Sequence, residues 1–461
     1  VRTSFWLGFA AVALNLGCNG SSGGPNGAST VSTPTSSTTS TPTGGSGGNA
    51  TPPGGTAPTG GPSASTRAFP DSSSTIAILA DQLDAGPSGA LNAAQIQFAA
   101  THFVGSQKLT LPTTQALRAI NAGFIVLHYH LAIWQSAPSV DFIVDGQTWG
   151  NDYSTVTTHE NYFWHDASGA RVASTADGKL LMNVSDPGFQ AYWASSILQQ
   201  IQQGEYDGVF ADSASPSLLQ GETTDPQLAG TAASTATFAQ LGGVSWSQAW
   251  SSFASGLDSS LAGSGAMLIP NVGPLITSWD TTDYSVTHGV FLEGFADPSF
   301  ATSDWHSSAN QQVAVVNKGK IVMLQNYLNG NANDLGRRMY FLGNYLLVKG
   351  AKTYLDYFAN GPLEWYPEWG LALGAALKTA TAGIDDLLDP SGCYRRDFQN
   401  GIVLVNPTQA AINVNLGGTF KLVQPSGGGA VDSSGNVTGS LATTAVTTVS
   451  VPATGAVILL R

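Results

Sequence analysis

Two short strings in this 461-residue chain end on a carboxylate directly after a run of apolar residues. Gly208–Asp212 reads GVFAD, and Gly289–Glu293 reads GVFLE. A carboxylate at the end of a buried strand is desolvated on one side, so it needs a partner or a purpose. Around Glu293, Phe291, Leu292 and Phe295 make an apolar setting that raises its pKa, and Gly294 allows close backbone approach. One carboxyl kept ionised and one kept protonated is the pair that glycoside hydrolysis requires. The acid protonates the leaving oxygen while the other attacks C1 or activates water. Plainer roles are open to both, Asp212 as a helix cap and Glu293 in a salt bridge to a residue such as Lys108. Asp207, in the same stretch as Asp212, reads as a structural carboxylate at the opposite end of the strand.

The elements that must position this pair are short apolar runs alternating with helical periodicities. Residues 75–80, 103–105, 124–128, 208–211, 267–269, 290–292, 321–324 and 353–355 read as buried strands. Helices are expected over 190–202, introduced by Asp186 and Pro187 as cap and first-turn proline, over 246–261 and over 334–348. Near-continuous apolar strands alternating with amphipathic helices imply a parallel sheet covered on its outer face. Eight such units give an α/β fold, a (β/α)8 TIM barrel, spanning 69–392. A doubly wound open sheet is the alternative, but the Gly-rich first turn it would carry for a nucleotide is absent.

In a barrel the reactive groups come from the C-terminal ends of the strands. The polar residues that follow the apolar runs are Asp81, Gln82, Gln107, Lys108, His128, His130, Asp212, Asn271, Glu293, Gln325, Asn326 and Asp356. Carboxylates, amides and imidazoles of this kind suit a site that binds many hydroxyl groups. Asp212 and Glu293 are the expected catalytic pair. Asp81, His128, His130, Asn271, Gln325, Asp356 and Trp365 are the expected substrate-binding residues. His128 and His130 alternate at a strand end and read as one in the mouth and one packed. Trp365, Tyr366 and Trp369 could stack on sugar faces or pack in the core.

Flanking this region are two different textures. Residues 1–18 carry one basic residue, an apolar run too short to span a bilayer and a small residue before Cys18. They read as an export signal, with Cys18 lipidated as in a bacterial lipoprotein or, alternatively, with secretory cleavage further on. Val1 reads as a non-AUG start codon translated literally. Residues 19–68 form a Gly/Ser/Thr/Pro linker whose composition cannot offset its ordering entropy, so it should be disordered and act as a tether. After Cys393 the chain alternates between apolar strands and Gly/Asn/Pro/Ser clusters, which implies a small C-terminal antiparallel β-sandwich-like domain over 393–461.

Composition removes other classes. With 17 Lys+Arg against 30 Asp+Glu, the formal charge is −13, which argues against a nucleic-acid partner and against charge-driven adhesion to anionic lipid. Two cysteines cannot make a disulfide framework. The seven histidines form no H-E-x-x-H motif or close Cys/His set, so no metal and no cofactor are expected. The expected partner is a poly- or oligosaccharide, and the only expected membrane contact is an N-terminal lipid anchor on a monomeric protein of the cell envelope.

The ordered strings EYDGVFADS, VFLEGF, KGAKTYLDYF, LEWYPEWGLALG and YRRDFQNGIVLVNPT resemble the hypothetical glycosyl hydrolases with a barrel fold. These are similar to the endo-α-1,4-polygalactosaminidase and α-galactosidase-like barrels. The likeness spans about residues 75–410, and HENYFWHDASGARV resembles the family's stretch before strand four. The resemblance implies a glycosidase in which the strand-four Asp212 is the nucleophile and the strand-six Glu293 the acid/base. We read it as retaining, with an inverting pair expected if the two carboxyl groups stand about 6.5–9.5 Å apart. The alternative reading is a non-catalytic carbohydrate-binding surface lipoprotein on a degenerate barrel. Two features depart from the pattern: Ser213 stands where many members carry Asn or Asp, and strand three ends in HYHLAIW.

Overall fold

The computed structural model describes residues 67–83, 90–135, 143–144, 147–148, 150–165, 168–173, 178–214, 246–275, 282–359 and 363–461. These lie in one compact unit, residues 63–461. The export signal, Cys18 and the linker up to residue 66 lie outside the described residues.

Eight parallel strands carry the site: β1 (Leu79–Ala80), β2 (Gly105–Gln107), β3 (Ile125–Leu131), β4 (Gly208–Asp212), β5 (Met267–Pro270), β6 (Gly289–Glu293), β7 (Ile321–Tyr327) and β8 (Thr353–Phe358). They pair as a five-stranded sheet, β1 to β5, and a three-stranded sheet, β6 to β8. Single parallel bridges, Asn271 to Phe291 and Ile78 to Leu355, join the two sheets at both edges, so the strands follow one another in chain order around a ring. The runs are apolar at almost every position because both faces are covered. Inside, Leu79, Leu127, Phe210, Ile269, Phe291, Met323 and Tyr354 form one buried cluster. Neighbours of opposite parity, such as Val126, Val209, Leu268 and Leu292, belong to the larger core under the helices.

Six helices of ten or more residues accompany the strands among the described residues: α1 (Ala93–His102), α2 (Leu111–Ile120), α3 (Pro187–Gly204), α4 (Trp246–Ala262), α5 (Thr302–Asn317) and α6 (Leu335–Val348). The expected helices α3, α4 and α6 are present. Asp186 caps α3 through the Phe189 amide with Pro187 in the first turn, and Asp334 caps α6 through the Arg337 amide. Sequence reasoning did not anticipate α1, α2 and α5. The buried face of α5 includes Ser308 and Gln312 beside Trp305, Ala309 and Val313, and that of α2 includes Thr113 and Thr114, so polar residues interrupt the apolar stripe of each. The start of α1 is marked instead by a capping box of Asn92 and Gln95.

The strand ends away from the mouth are plugged by the segment before β1. Phe69 joins the interior cluster against Tyr354, with ring centroids 5.3 Å apart. Arg67 pairs with the buried Asp207, which also accepts from Arg118 at 2.6 Å and from the Val126 amide at 2.9 Å. The Lys349 ammonium donates to the carbonyls of Ser72, Ser73 and Thr75, and burial lowers its pKa to about 8. Asp207 is thus a structural carboxylate at that end.

Beyond β8 the chain forms one five-stranded antiparallel sheet from β9 (Tyr394–Phe398), β10 (Gly401–Asn406), β11 (Ile412–Ser426), β12 (Ser440–Val451) and β13 (Gly455–Leu460), in the order β9-β10-β13-β11-β12. One face has its own small core around Ile402, Leu404, Val451 and Leu459. The other packs on α6, where Gly343 lets the helix approach so closely that a Cβ there would lie 2.4 Å from Ala456 Cβ. Arg396 of β9 donates to the carbonyls of Leu346, Leu347 and Lys349, satisfying orphan groups at the end of α6. Arg338 of α6 makes a fully buried two-pronged pair with Glu368, at 2.8 and 2.6 Å.

Candidate active site

Inward parity places one polar residue from each strand end around the mouth of the ring: Asp81, Gln107, Tyr129, Asp212, Asn271, Glu293, Gln325 and Asp356. The apolar cluster lies directly beneath them. In register, Glu293 stands beside Gln325, and Gln325 beside Asp356.

At the centre is Asn271. Its Nδ2 donates to Asp212 Oδ1 at 2.9 Å and to Glu293 Oε2 at 2.8 Å, while its Oδ1 accepts from the Gly273 amide at 3.1 Å. A planar amide with one hydrogen aimed at each oxygen holds those two oxygens about 5 Å apart. The outer oxygens have matching partners. Tyr129 donates to Asp212 Oδ2 at 2.6 Å, and Tyr327 donates to Glu293 Oε1 at 2.6 Å. Tyr129, Asp212, Asn271, Glu293 and Tyr327 therefore form one continuous chain of hydrogen bonds.

The environments of the carboxyl groups differ. Burial raises the pKa of Glu293 above the usual carboxylate value, and the nearby charge of Asp212 raises it further against the opposing hydrogen bonds of Tyr327 and Asn271. Asp356 is held well above the carboxylate range, by burial foremost, although its Oδ2 accepts the Asp81 amide at 2.8 Å. Burial and then the Asp212 charge hold the Tyr129 hydroxyl far above the ordinary tyrosine range, and burial followed by Glu293 does the same to Tyr327. Both tyrosines are therefore permanent donors at neutral pH.

Lys108 does not pair with Glu293. It pairs with Asp81, with Nζ 2.8 Å from each carboxylate oxygen, and Gln107 Nε2 donates to the same carboxylate. Burial works to lower the Lys108 pKa, but the charges of Asp81, Asp212 and Glu293 outweigh it and the net shift is upward. Two mouth residues that follow β-strands without being glycine, Lys108 and Ser213, adopt left-handed backbone with φ of 58° and 52°. Gly294, directly after Glu293, has φ of 78°. Left-handed non-glycine residues gather where a site over-determines the backbone.

The expected site residues thus divide. Asp81, Asn271, Gln325 and Asp356 line the mouth with Asp212 and Glu293. His128 and His130 do not. Residues two apart on a strand share a face, so the alternation expected between them does not occur. Both rings point outward, 5.8 Å apart: His128 lies against Tyr206 and Gln200, and His130 against Asn151 and Trp193. Both side chains are fully buried under α3. Trp365 packs edge-on against Phe98, His102, Phe103 and Trp369, with part of its surface left exposed. Tyr366 and Trp369 are core residues. Sequence reasoning missed Tyr129 and Tyr327. The signal was parity, because Tyr129 shares a face with Ile125 and Leu127, and Tyr327 stands two residues beyond Gln325.

A family model for hypothetical glycosyl hydrolase family 15 matches residues 118–402. No curated protein matches the chain. Among solved structures, a noncanonic maltogenic alpha-amylase from Thermotoga neapolitana is 9% identical with a TM-score of 0.41, covering 84% of this chain and 99% of that one. A trehalose-6-phosphate hydrolase from Bacillus licheniformis is 10% identical at 0.41 with the same coverage. An alpha-amylase from Lactobacillus plantarum is 11% identical at 0.40, again with 84% and 99% covered.

Proposed function

The chain belongs to hypothetical glycosyl hydrolase family 15, and we propose that it cleaves O-glycosidic bonds of an extracellular or cell-surface polysaccharide with retention of configuration. Asp212 attacks the anomeric carbon, and Glu293 first protonates the leaving oxygen and then takes a proton from the incoming water. The observation that carries this reading is the shared Asn271 amide. It brings the facing oxygens of the two carboxyl groups to about 5 Å of each other, a close approach that favours double displacement, in which the groups stand roughly 5–5.5 Å apart, over single displacement at roughly 6.5–9.5 Å.

The division of labour follows from the surroundings. A raised pKa suits Glu293 to carry the proton at the start of the cycle. Asp212, tied to Tyr129 and Asn271, is oriented for attack, and the same donors stabilise it as the leaving group when water releases the sugar. The surplus of carboxyl groups at the mouth favours a neutral or cationic glycan, such as a polymer of amino sugars, over a polyanionic one. The same reading takes the protein as exported, lipidated at Cys18 and tethered by residues 19–68. Cys18→Ser should then abolish incorporation of labelled fatty acid.

A panel of neutral, cationic and anionic glycans, incubated with the protein and with D212N and E293Q, tests the catalytic reading. Turnover by the unaltered protein alone, with the anomer first released matching the substrate by 1H NMR, is the expected result. Equal turnover by all three proteins would sink the assignment. An inverted product would replace double with single displacement, and binding without turnover would make the protein a non-catalytic carbohydrate-binding one.

A further inference from the structure

Among the described residues, Lys108 is the one lysine or arginine ion-paired to any of the four mouth carboxyl side chains Asp81, Asp212, Glu293 and Asp356, and the reaction above leaves it unused. Its position is imposed. The backbone at Lys108 is left-handed, which a lysine adopts only against a steric cost, and both oxygens of Asp81 hold the ammonium at 2.8 Å. A surface ion pair needs neither constraint. Held there, Nζ lies 5.0 Å from the centre of the Tyr129 ring and 5.9 Å from that of Phe210. Tyr129 and Phe210 stack at 5.8 Å, and Phe210 meets Phe291 edge-on at 4.7 Å. Phe210 and Phe291 stand two residues before Asp212 and Glu293.

We infer that Lys108 is a positioning residue that acts on Asp212 through the Tyr129 ring. A cation within reach of a phenol ring is attracted to its π-face and makes the hydroxyl a stronger donor. Tyr129 passes that effect to Asp212 Oδ2 across its 2.6 Å hydrogen bond. Asp81 fixes the ammonium over the ring, and Tyr129 aims its hydroxyl. The charged and titratable groups facing this path are Asp81, Asp356 and Glu293 with its donor Tyr327; all three carboxyl groups, when ionised, oppose a second negative charge at Asp212. Lys108 is the compensating charge. The inference rests on Asp212 as nucleophile for its catalytic meaning, whereas the coupling through Tyr129 can be read without substrate.

The test uses the full chain labelled with tyrosine carrying 13C at Cζ, the Tyr129 resonance being the one lost in Tyr129→Phe. Lys108→Met should move that resonance and leave the Tyr327 resonance in place, and Lys108→Arg should restore most of the shift. If Lys108→Met does not fold, Asp81→Asn, which frees the ammonium from its anchor, should move the same resonance. An unmoved Tyr129 signal in a folded variant overturns the inference. On a glycan that is turned over, Lys108→Met should shift the acid limb of the kcat/KM profile upward by about one pH unit. A loss of activity equal at every pH would mean that Lys108 only supports the fold. Retained activity in D212N would defeat the catalytic assignment and leave the spectroscopic result standing.

Discussion

Asn271 gives one hydrogen of a single amide to Asp212 and the other to Glu293, at 2.9 and 2.8 Å. The two carboxyl groups are therefore not independently placed, since a displacement of either must be taken up by the same nitrogen. Asn271→Ala should cut kcat roughly 100-fold while changing KM little, because it releases both reacting groups and leaves their chemistry intact. Asn271→Asp should be worse, since it replaces a shared donor by a third acceptor. Steady-state kinetics on the glycan that emerges from the panel measures both.

Glu293 should cost stability at the pH where it works. Its pKa is raised in the folded protein, so between the ordinary carboxyl value and the raised one the folded state holds more protons than the unfolded chain. Stability from this group is fully present below about pH 4 and is lost as pH rises through the folded value. E293Q should therefore melt about 1–3 °C higher than the unaltered protein at pH 7 and no higher near pH 4. Calorimetry at the two pH values decides it.

Tyr327 should set the basic limb of activity. Its hydrogen bond opposes the rise in the Glu293 pKa, so removing the hydroxyl lets that pKa climb further. Tyr327→Phe should carry the basic limb of the kcat/KM profile to higher pH. A limb that stays in place would detach it from Glu293.

Ser213 follows the expected nucleophile in left-handed backbone, at φ of 52°. Asn tolerates that region better than Ser, and a β-branched residue tolerates it worst. Ser213→Asn should gain about 0.5 kcal/mol and Ser213→Val should lose about 1–2 kcal/mol, read from urea unfolding midpoints.

The Arg338–Glu368 pair is fully buried, and Tyr357 also donates to Glu368 at 2.7 Å. Removing one partner strands a charge in the core. Arg338→Met or Glu368→Gln should each cost about 3–5 kcal/mol, whereas the double variant should cost less than the two together. Denaturant titrations of the three proteins form the cycle.

The strands were legible because both faces of this sheet are covered and the runs are apolar at nearly every position. The same property hid the direction of the side chains. A run such as Ile125–Leu131 shows no alternation in residue type, so nothing in its composition says whether His128 or Tyr129 faces the mouth. Fixing one inward residue settles the rest by parity: Asp212 implies Phe210, and Tyr129 implies Leu127 and Ile125. Asn271 was identifiable as a strand-end amide. Its bridging role was not, because it depends on the distance between β4 and β6 across a strand that separates them. The helices α2 and α5 escaped for the opposite reason, since polar side chains make up part of their buried faces.

The plug beneath the ring has a mechanical meaning. Arg67 on Asp207, Phe69 inside the ring and the three carbonyls clasped by Lys349 join the start of the folded chain to the strand ends farthest from the mouth. A pull on the residues before Arg67 is thus borne first by an ion pair, a seated aromatic ring and a lysine clamp. It would have to extract Phe69 before it strained β4 or β6. Under the proposed tethering and catalysis, load and chemistry would enter at opposite ends of the same eight strands.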